Sequence, residues 1–378
     1  MEFIRSNSTS HKNTKEAVKN VTSELHTEPK LVLFFASTKY SFEEVTMAFK
    51  EHYPNSEVVG LTTTGEIGPT GFFEGGIVAL SFSKEFGKIR SVLMKDISKY
   101  PIFYRNDLIA AAKDIGINPN SSSPEQEGVG IVFPNGLIAA EEKMLSIVNS
   151  IFTREGFPIF GGTAGDDTKF VETFVSLNGE ISNKGGIAIF MKPTVDFVIM
   201  KENIFKSTGK LMRVTKANTE ERIVYEMNGR KATAVYADLL GVKESELTQY
   251  FMSNPVGRRF NNEIFIASPF QVLPNGAIQF YCQVFQDSIV EILEPMDPVE
   301  TLQQTLANFT SQFSQLEGVL ACNCILRKLQ FQSQRIFPEL NRELTKLPNL
   351  GGFCSYGEQL NKSLINQTLV LLGFGKKR

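Results

Sequence analysis

The sequence predicts an α+β protein of two domains whose mixed sheets are flanked by helices. Three observations carry this. Short apolar runs of strand length alternate with segments of helical periodicity. A strand–helix–strand–glycine turn–strand unit occurs three times. And 378 residues with 42% hydrophobic and 21% charged side chains exceed one average domain while remaining ordinary globular composition. The boundaries expected are a polar tail or helix over 1–27, one domain over 28–215 and a second over 216–378.

The first copy opens with the apolar run Leu31-Val32-Leu33-Phe34-Phe35. Phe42, Val45, Phe49 and His52 then recur at helical spacing, and Pro54 closes that helix. A strand follows at Val58-Val59, then a Gly/Thr-rich turn and a strand over 76–82. The second copy opens over 129–133 and continues with Met144, Val148 and Ile151 on a helix. It closes on strands over 173–177 and 186–190. The third opens with Val319-Leu320-Ala321, has a helix with Phe337, Leu340, Leu344 and Leu347, and closes over 368–372. Each middle strand runs into a glycine turn ending in an acid: Gly65-Glu66, Gly165-Asp166 and Gly357-Glu358. Between the second and third copies, the charged stretch 206–218 reads as the joint between domains. Beyond it, 225–227 reads as a strand, 232–240 as a helix stopped by Gly241, and 264–266 and 278–284 as strands. Asp297-Pro298 with Glu300 is a helix start with a capping side chain and a proline in the first turn.

Several function classes are excluded or disfavoured. A formal charge of −2 gives no field for nucleic acid or anionic membrane. Four cysteines make no disulfide framework, and no apolar run reaches the length of a membrane span. With no signal-peptide core in the polar opening, the reading is cytoplasmic, with reduced thiols. Gly161-Gly162-Thr163-Ala164-Gly165 lacks the Lys-Ser/Thr pair of a phosphate loop and leads into strand-like sequence.

The three turns are the candidate ligand site. Glycine permits close backbone approach, and an acid at a strand end can hold a small polar ligand. The candidates are Thr62, Thr63, Thr64, Gly65 and Glu66; Gly162, Thr163, Ala164, Gly165, Asp166 and Asp167; and Phe353, Cys354, Ser355, Tyr356, Gly357 and Glu358. The plainer alternative is tight turns whose acids cap neighbouring backbone. Asp166 and Asp167 together are a weak hard-cation signal. Cys322 and Cys324, two apart, share one face of a strand; they read as buried thiols, with a reactive or metal-binding pair as the alternative. A cysteine-dependent enzyme using Cys322, Cys324 or Cys354 is the rival function, and Arg327 is the local cation that would have to activate a thiol. His52 extends an apolar helical face and reads as packing.

Val58-Val59-Gly60 through Gly65-Glu66-Ile67 and the stretch 158–167 resemble the N-terminal half of the FIST sensory domain. The stretch 350–358 with Asn366-Gln367-Thr368 resembles its C-terminal half. The resemblance implies a stand-alone signal-input module that binds a small ligand and regulates a partner, such as a histidine kinase or a cyclic-di-nucleotide signalling enzyme. Cys322-Asn323-Cys324-Ile325-Leu326-Arg327 and Tyr356-Gly357-Glu358-Gln359 are similar to the branch described as haem-binding nitric-oxide sensors. The chain differs from that branch at Asn254-Pro255, where the branch tends to carry His-Pro. The similarity implies haem as a cofactor, with His52, Cys322 or Cys324 as candidate ligands.

Overall fold

A computed structural model of the chain describes residues 2–260 and 263–378. The expected mixed, helix-flanked sheets are present. Three six-stranded sheets each contain a parallel strand pair joined by helical crossovers. Leu31–Ala36 pairs with Glu57–Thr62 through the helix Phe42–His52. Val129–Pro134 pairs with Ile159–Gly162 through Glu141–Asn149. Phe313–Cys324 pairs with Leu350–Ser355 through Ile325–Gln334 and Phe337–Leu344. The opening runs of the first two copies are buried along their whole length, as central strands covered on both faces must be. A closing strand lies antiparallel on the other side of each: Ile77–Phe82, Gly186–Pro193 and Thr368–Lys377.

No copy completes its own sheet. The hairpin of the first, Glu66–Gly68 with Gly71–Phe73, pairs with Leu350–Ser355 of the third. That of the third, Glu358–Leu360 with Ser363–Ile365, pairs with Ile159–Gly162 of the second. The second copy's hairpin, Val175–Leu177 with Glu180–Ser182, pairs with Glu57–Thr62 of the first. Equivalent backbone hydrogen bonds join the turns in a ring. Thr64 N–H donates to the Cys354 carbonyl (3.1 Å), Tyr356 N–H to Thr163 (3.2 Å) and Gly165 N–H to Thr62 (2.9 Å). The exchange is cyclic.

Side chains fill the centre of this ring. Phe35, Phe133 and Phe353 meet pairwise, with ring centroids 5.9, 4.8 and 5.9 Å apart. Room for Phe353 comes from Gly162. A β-carbon there would lie 1.9 Å from Cys322 Sγ and 2.7 Å from Phe353 Cζ.

The second copy departs from the other two. Cys354 N–H donates to Gly65 and Thr163 N–H to Gly357, but Thr62 N–H donates to Phe174. Residues 166–173 are therefore an insertion. Val175, and not Asp166, stands where Glu66 and Glu358 stand, since it pairs with Leu61 as Glu66 does with Phe353 and Glu358 with Gly162.

Between the second and third copies lies an eight-stranded sheet. The charged stretch read as a domain joint is its longest member, the strand Phe205–Asn218, which turns Met212 and Val214 inward and its basic residues outward. It pairs with Ile289–Pro295 along one part and Ile223–Met227 along another. The helix Ala232–Leu240 ends at Gly241, whose φ of 76° is left-handed. Of the stretch 278–284, only Ile278–Phe280 is a strand. The helix Pro298–Ser311 is capped as expected, the Asp297 carboxylate accepting from Val299 and Glu300 N–H at 2.9 Å. The polar opening forms a strand, Ile4–Thr9, on the edge of the first sheet, and a helix, Thr14–Thr22, that buries Val18 and Val21. Its few apolar side chains are spaced to reach the core, which polarity alone concealed.

The packing at the centre predicts that Gly162→Ala lowers stability by about 1–3 kcal/mol through overpacking. Removing the obstructing sulfur in Gly162→Ala/Cys322→Ala should recover part of the loss, read as non-additive shifts of the urea midpoint.

Candidate functional site

The structure brings the three turns together, but it closes them. Thr62, Thr63, Thr64, Glu66, Thr163, Ala164, Asp166, Phe353, Cys354, Ser355 and Glu358 are buried, as are Gly65, Gly162, Gly165 and Gly357. Several of their polar groups bond to one another or to neighbouring backbone. Thr63 hydroxyl donates to Glu66 Oε1 at 2.6 Å, and Gly76 N–H to Oε2 at 3.0 Å. At the equivalent place, Ser355 hydroxyl donates to Glu358 Oε1 at 2.6 Å and Thr368 hydroxyl to Oε2 at 2.8 Å. Lys328 Nζ reaches the Thr64 carbonyl at 2.8 Å and Glu74 at 2.6 Å. The turns and their acids bind the core itself.

Three of the candidate residues connect this core to the surface. Tyr356 takes the place that Thr64 and Gly165 hold in the other copies, and its ring is half-buried. Its hydroxyl donates to Asp166 Oδ1. Burial and that hydrogen bond raise the phenol well above its ordinary range. The Asp166 carboxylate also accepts the backbone N–H groups of Phe170, Val171 and Glu172 at 3.0, 2.6 and 3.1 Å. Asp167 Oδ2 accepts from Ser37 hydroxyl and from Thr38 N–H and hydroxyl, at 2.8, 2.8 and 2.7 Å. The two acids thus mould and fasten the inserted loop. Phe170 is held exposed (62%) and stacked on Tyr356, centroids 5.3 Å apart and planes 10° from parallel.

This loop forms part of a cleft of about 730 Å³, within the usual range for small-molecule sites. Leu137 and Ala139 come from the loop before the helix Glu141–Asn149, Phe270 and Phe280 from the eight-stranded sheet, and Tyr281 from the residue after its strand Ile278–Phe280. Ile325, Leu326 and Leu329 come from the helix after the Cys-Asn-Cys stretch. Phe270 and Tyr281 form a second ring pair, centroids 4.9 Å apart. Arg222 donates to Glu141 at 2.7 Å, to Glu142, and to the Tyr281 carbonyl at 2.8 Å. Leu137, Ala139, Phe170 and Arg222 all line the cleft with left-handed φ, at 64°, 48°, 54° and 59°. Non-glycine residues held there store strain of order 1–3 kcal/mol each, and such residues gather at functional sites. Another concavity, about 540 Å³ around Arg258, Gln283 and Lys362, is more polar and more open.

Tyr356 is the one candidate from the sequence that lines the cleft directly. The others, Phe170, Leu137, Arg222, Phe270 and Tyr281 above all, were missed. Phe170-Val171 did offer a signal, as an apolar pair in an otherwise polar loop.

Haem does not fit the residues implied for it. His52 is exposed at the end of its helix, edge-on to Tyr53 at 4.6 Å, instead of packing inward as its spacing suggested. Cys322 and Cys324 are fully buried strand residues, and burial raises both thiols well above their usual range. Among the described residues, no histidine, cysteine or methionine lines the cleft. Among the described residues no group of three or more His, Cys, Asp or Glu is placed to hold a metal ion. Cys354, which touches a small cavity of about 310 Å³ beside Lys328, has its thiol pushed up to about 12 by burial.

Burial pushes the Glu66 carboxyl up to about 7 and that of Glu358 up to about 8, from an unfolded value of 4.5. The native state therefore keeps protons that the unfolded chain has already lost, and stability falls as pH rises through that interval. The expected slope is up to about 1.4 kcal/mol per pH unit for each group. Glu66→Gln/Glu358→Gln should flatten the decline in melting temperature between about pH 5 and about pH 8, leaving the variant relatively more stable on the alkaline side.

Residues 30–230 match the FIST N domain and residues 232–361 the FIST C domain. No curated protein matches the chain. Among solved structures, PurLQS from Thermotoga maritima aligns over 99% of this chain and 72% of its own, at 8% identity and a TM-score of 0.19. T. maritima PurL complexed with ATP aligns over 99% and 71%, at 9% identity and a TM-score of 0.20. Scores this low carry no argument about fold or activity. The domain matches span most of the sequence in the expected order, and the chain belongs to the FIST family of sensory, ligand-binding signalling domains.

Proposed function

We propose that this chain is a signal-input module whose small-molecule ligand binds in the aromatic cleft, and whose occupancy is read by a partner signalling protein. One observation carries the reading. The cleft is lined by residues from both matched domains, Leu137 and Phe170 on one side of the sequence and Phe270, Tyr281 and Ile325 on the other. A ligand held there touches both halves, so its binding energy can be used to shift their relationship. The partner is a histidine kinase or a cyclic-di-nucleotide enzyme, as the family's signalling role suggests. Support for a cysteine nucleophile is lacking, since Cys322, Cys324 and Cys354 are buried and their thiols are raised by burial.

A melting screen against a metabolite library tests the ligand half of the proposal. A compound at 100 times its dissociation constant adds about 2.7 kcal/mol of stability. Hits should lose about tenfold in affinity in Phe170→Ala, which removes the ring stacked on Tyr356. A library that leaves the wild-type melting temperature unmoved counts against the reading, as do hits indifferent to Phe170→Ala. For the partner half, affinity purification from the native cell with and without a hit should recover a kinase or a cyclic-nucleotide enzyme in amounts that depend on the compound.

A further inference from the structure

We infer that the cleft selects an organic cation, an amine or charged ring nitrogen carried on a planar apolar body. This rests on the reading of the cleft as the ligand site and adds the chemical class of its ligand. The apolar part of the argument is the wall: Phe170 on Tyr356, Phe270 on Tyr281, and the leucines of the neighbouring helix. Ring faces carry negative potential and attract a desolvated cation as readily as an apolar surface.

The charge of the lining decides between ligands that would all tolerate such a wall. Glu141, Glu220 and Glu221 line the cleft against a single basic residue, Arg222. That guanidinium is not available to an anion, because Glu141 and Glu142 both accept its hydrogen bonds and its other terminal nitrogen donates to the Tyr281 carbonyl. Two carboxylates answer one positive charge before any ligand arrives. Glu220 and Glu221 stand exposed at the turn between Phe205–Asn218 and Ile223–Met227, and neither joins a salt bridge among the described residues. The cleft thus offers unpaired negative charge beside aromatic faces and no free positive group. Anionic ligands meet repulsion with nothing to offset it. Neutral aromatic ligands gain the walls alone, and a cation gains walls and charge together.

The test uses three probes of one shape: 2-naphthylmethylamine, 2-naphthylmethanol and 2-naphthoate. Naphthalene emission can be followed directly because the chain has no tryptophan. The amine should bind about fivefold or more tighter than the alcohol, with the carboxylate weakest, as an ion pair plus a cation–π contact would give. Glu220→Gln/Glu221→Gln should bring the amine down to the level of the alcohol and leave the alcohol where it was. An alcohol or carboxylate that binds as tightly as the amine overturns the inference, and so does an amine preference that survives the double variant. Equal binding of all three probes, lost in Phe170→Ala, overturns the charge selection and keeps the cleft as the site. Binding by none of the three, or binding indifferent to Phe170→Ala, overturns both.

Discussion

All three six-stranded sheets of this protein depend on the exchange of hairpins around one centre. A six-stranded sheet here has four or fewer strands of its own copy and its immediate neighbours; the rest arrive from another copy. Neither a first nor a third copy could bury its exposed edge alone, and the three Phe rings at the centre come one from each. Residues after Pro298 must therefore fold onto strands that lie some hundreds of positions earlier, with loop-closure entropy to be overcome before those contacts form. Glycine serves this centre at Gly162, where a side chain would collide with Cys322 and Phe353. Thr63 with Glu66, and Ser355 with Glu358, serve it by satisfying one another away from water.

The proposed site gathers where the threefold regularity breaks. The second copy carries the insertion 166–173, which the others lack. The third carries an aromatic ring, Tyr356, where the others carry Thr64 and Gly165, and its crossover has two helices, the first of which brings Ile325, Leu326 and Leu329 to the cleft. The eight-stranded sheet has no counterpart among the described residues, and it supplies Phe270 and Phe280, with Tyr281 directly after its strand Ile278–Phe280. All of these departures line one cavity. The regular part of the molecule is a scaffold, and its irregular parts make the surface that could recognise something else.

The sequence made the scaffold legible because buried parallel strands leave continuous apolar runs and crossover helices leave a period near 3.6. Leu31–Ala36, Val129–Pro134 and the helix Phe42–His52 all stand where those signals placed them. Charge misled at Phe205–Asn218, where a strand with one inward face looks like a linker once its outward lysines and arginine are counted. Spacing misled at Asp166, which follows Gly165 as Glu66 follows Gly65 but belongs to the insertion. The candidate turns meet around one point, but nothing in a glycine turn tells whether that point is open or closed. The cleft was out of reach for a different reason. It draws on separate segments from residue 137 to residue 366, and those around Leu137, Phe170, Arg222, Phe270 and Tyr281 carry no motif.

How such a cleft could transmit its state follows from what is fixed in it and what is strained. The Arg222–Glu141–Glu142 cluster ties the eight-stranded sheet to the first turn of the helix Glu141–Asn149, and Glu142 also accepts the Gln283 N–H at 2.9 Å. A largely buried, mutually satisfied charge cluster contributes little net stability but resists being broken, since separation would leave uncompensated charge. That side is an anchor. The inserted loop is the opposite case. Its Asp167, Thr168 and Phe170 all hold left-handed φ, and its position rests on hydrogen bonds to Asp166, Asp167 and Tyr356 more than on buried apolar surface. Phe170 and Val171 at its tip are exposed. A bound molecule covering Phe170 would add apolar contact where the loop has least, and so would favour one arrangement of it over others. Because Tyr356 reaches from that loop back into the central ring of backbone hydrogen bonds, the change would be felt at the junction on which all three sheets depend.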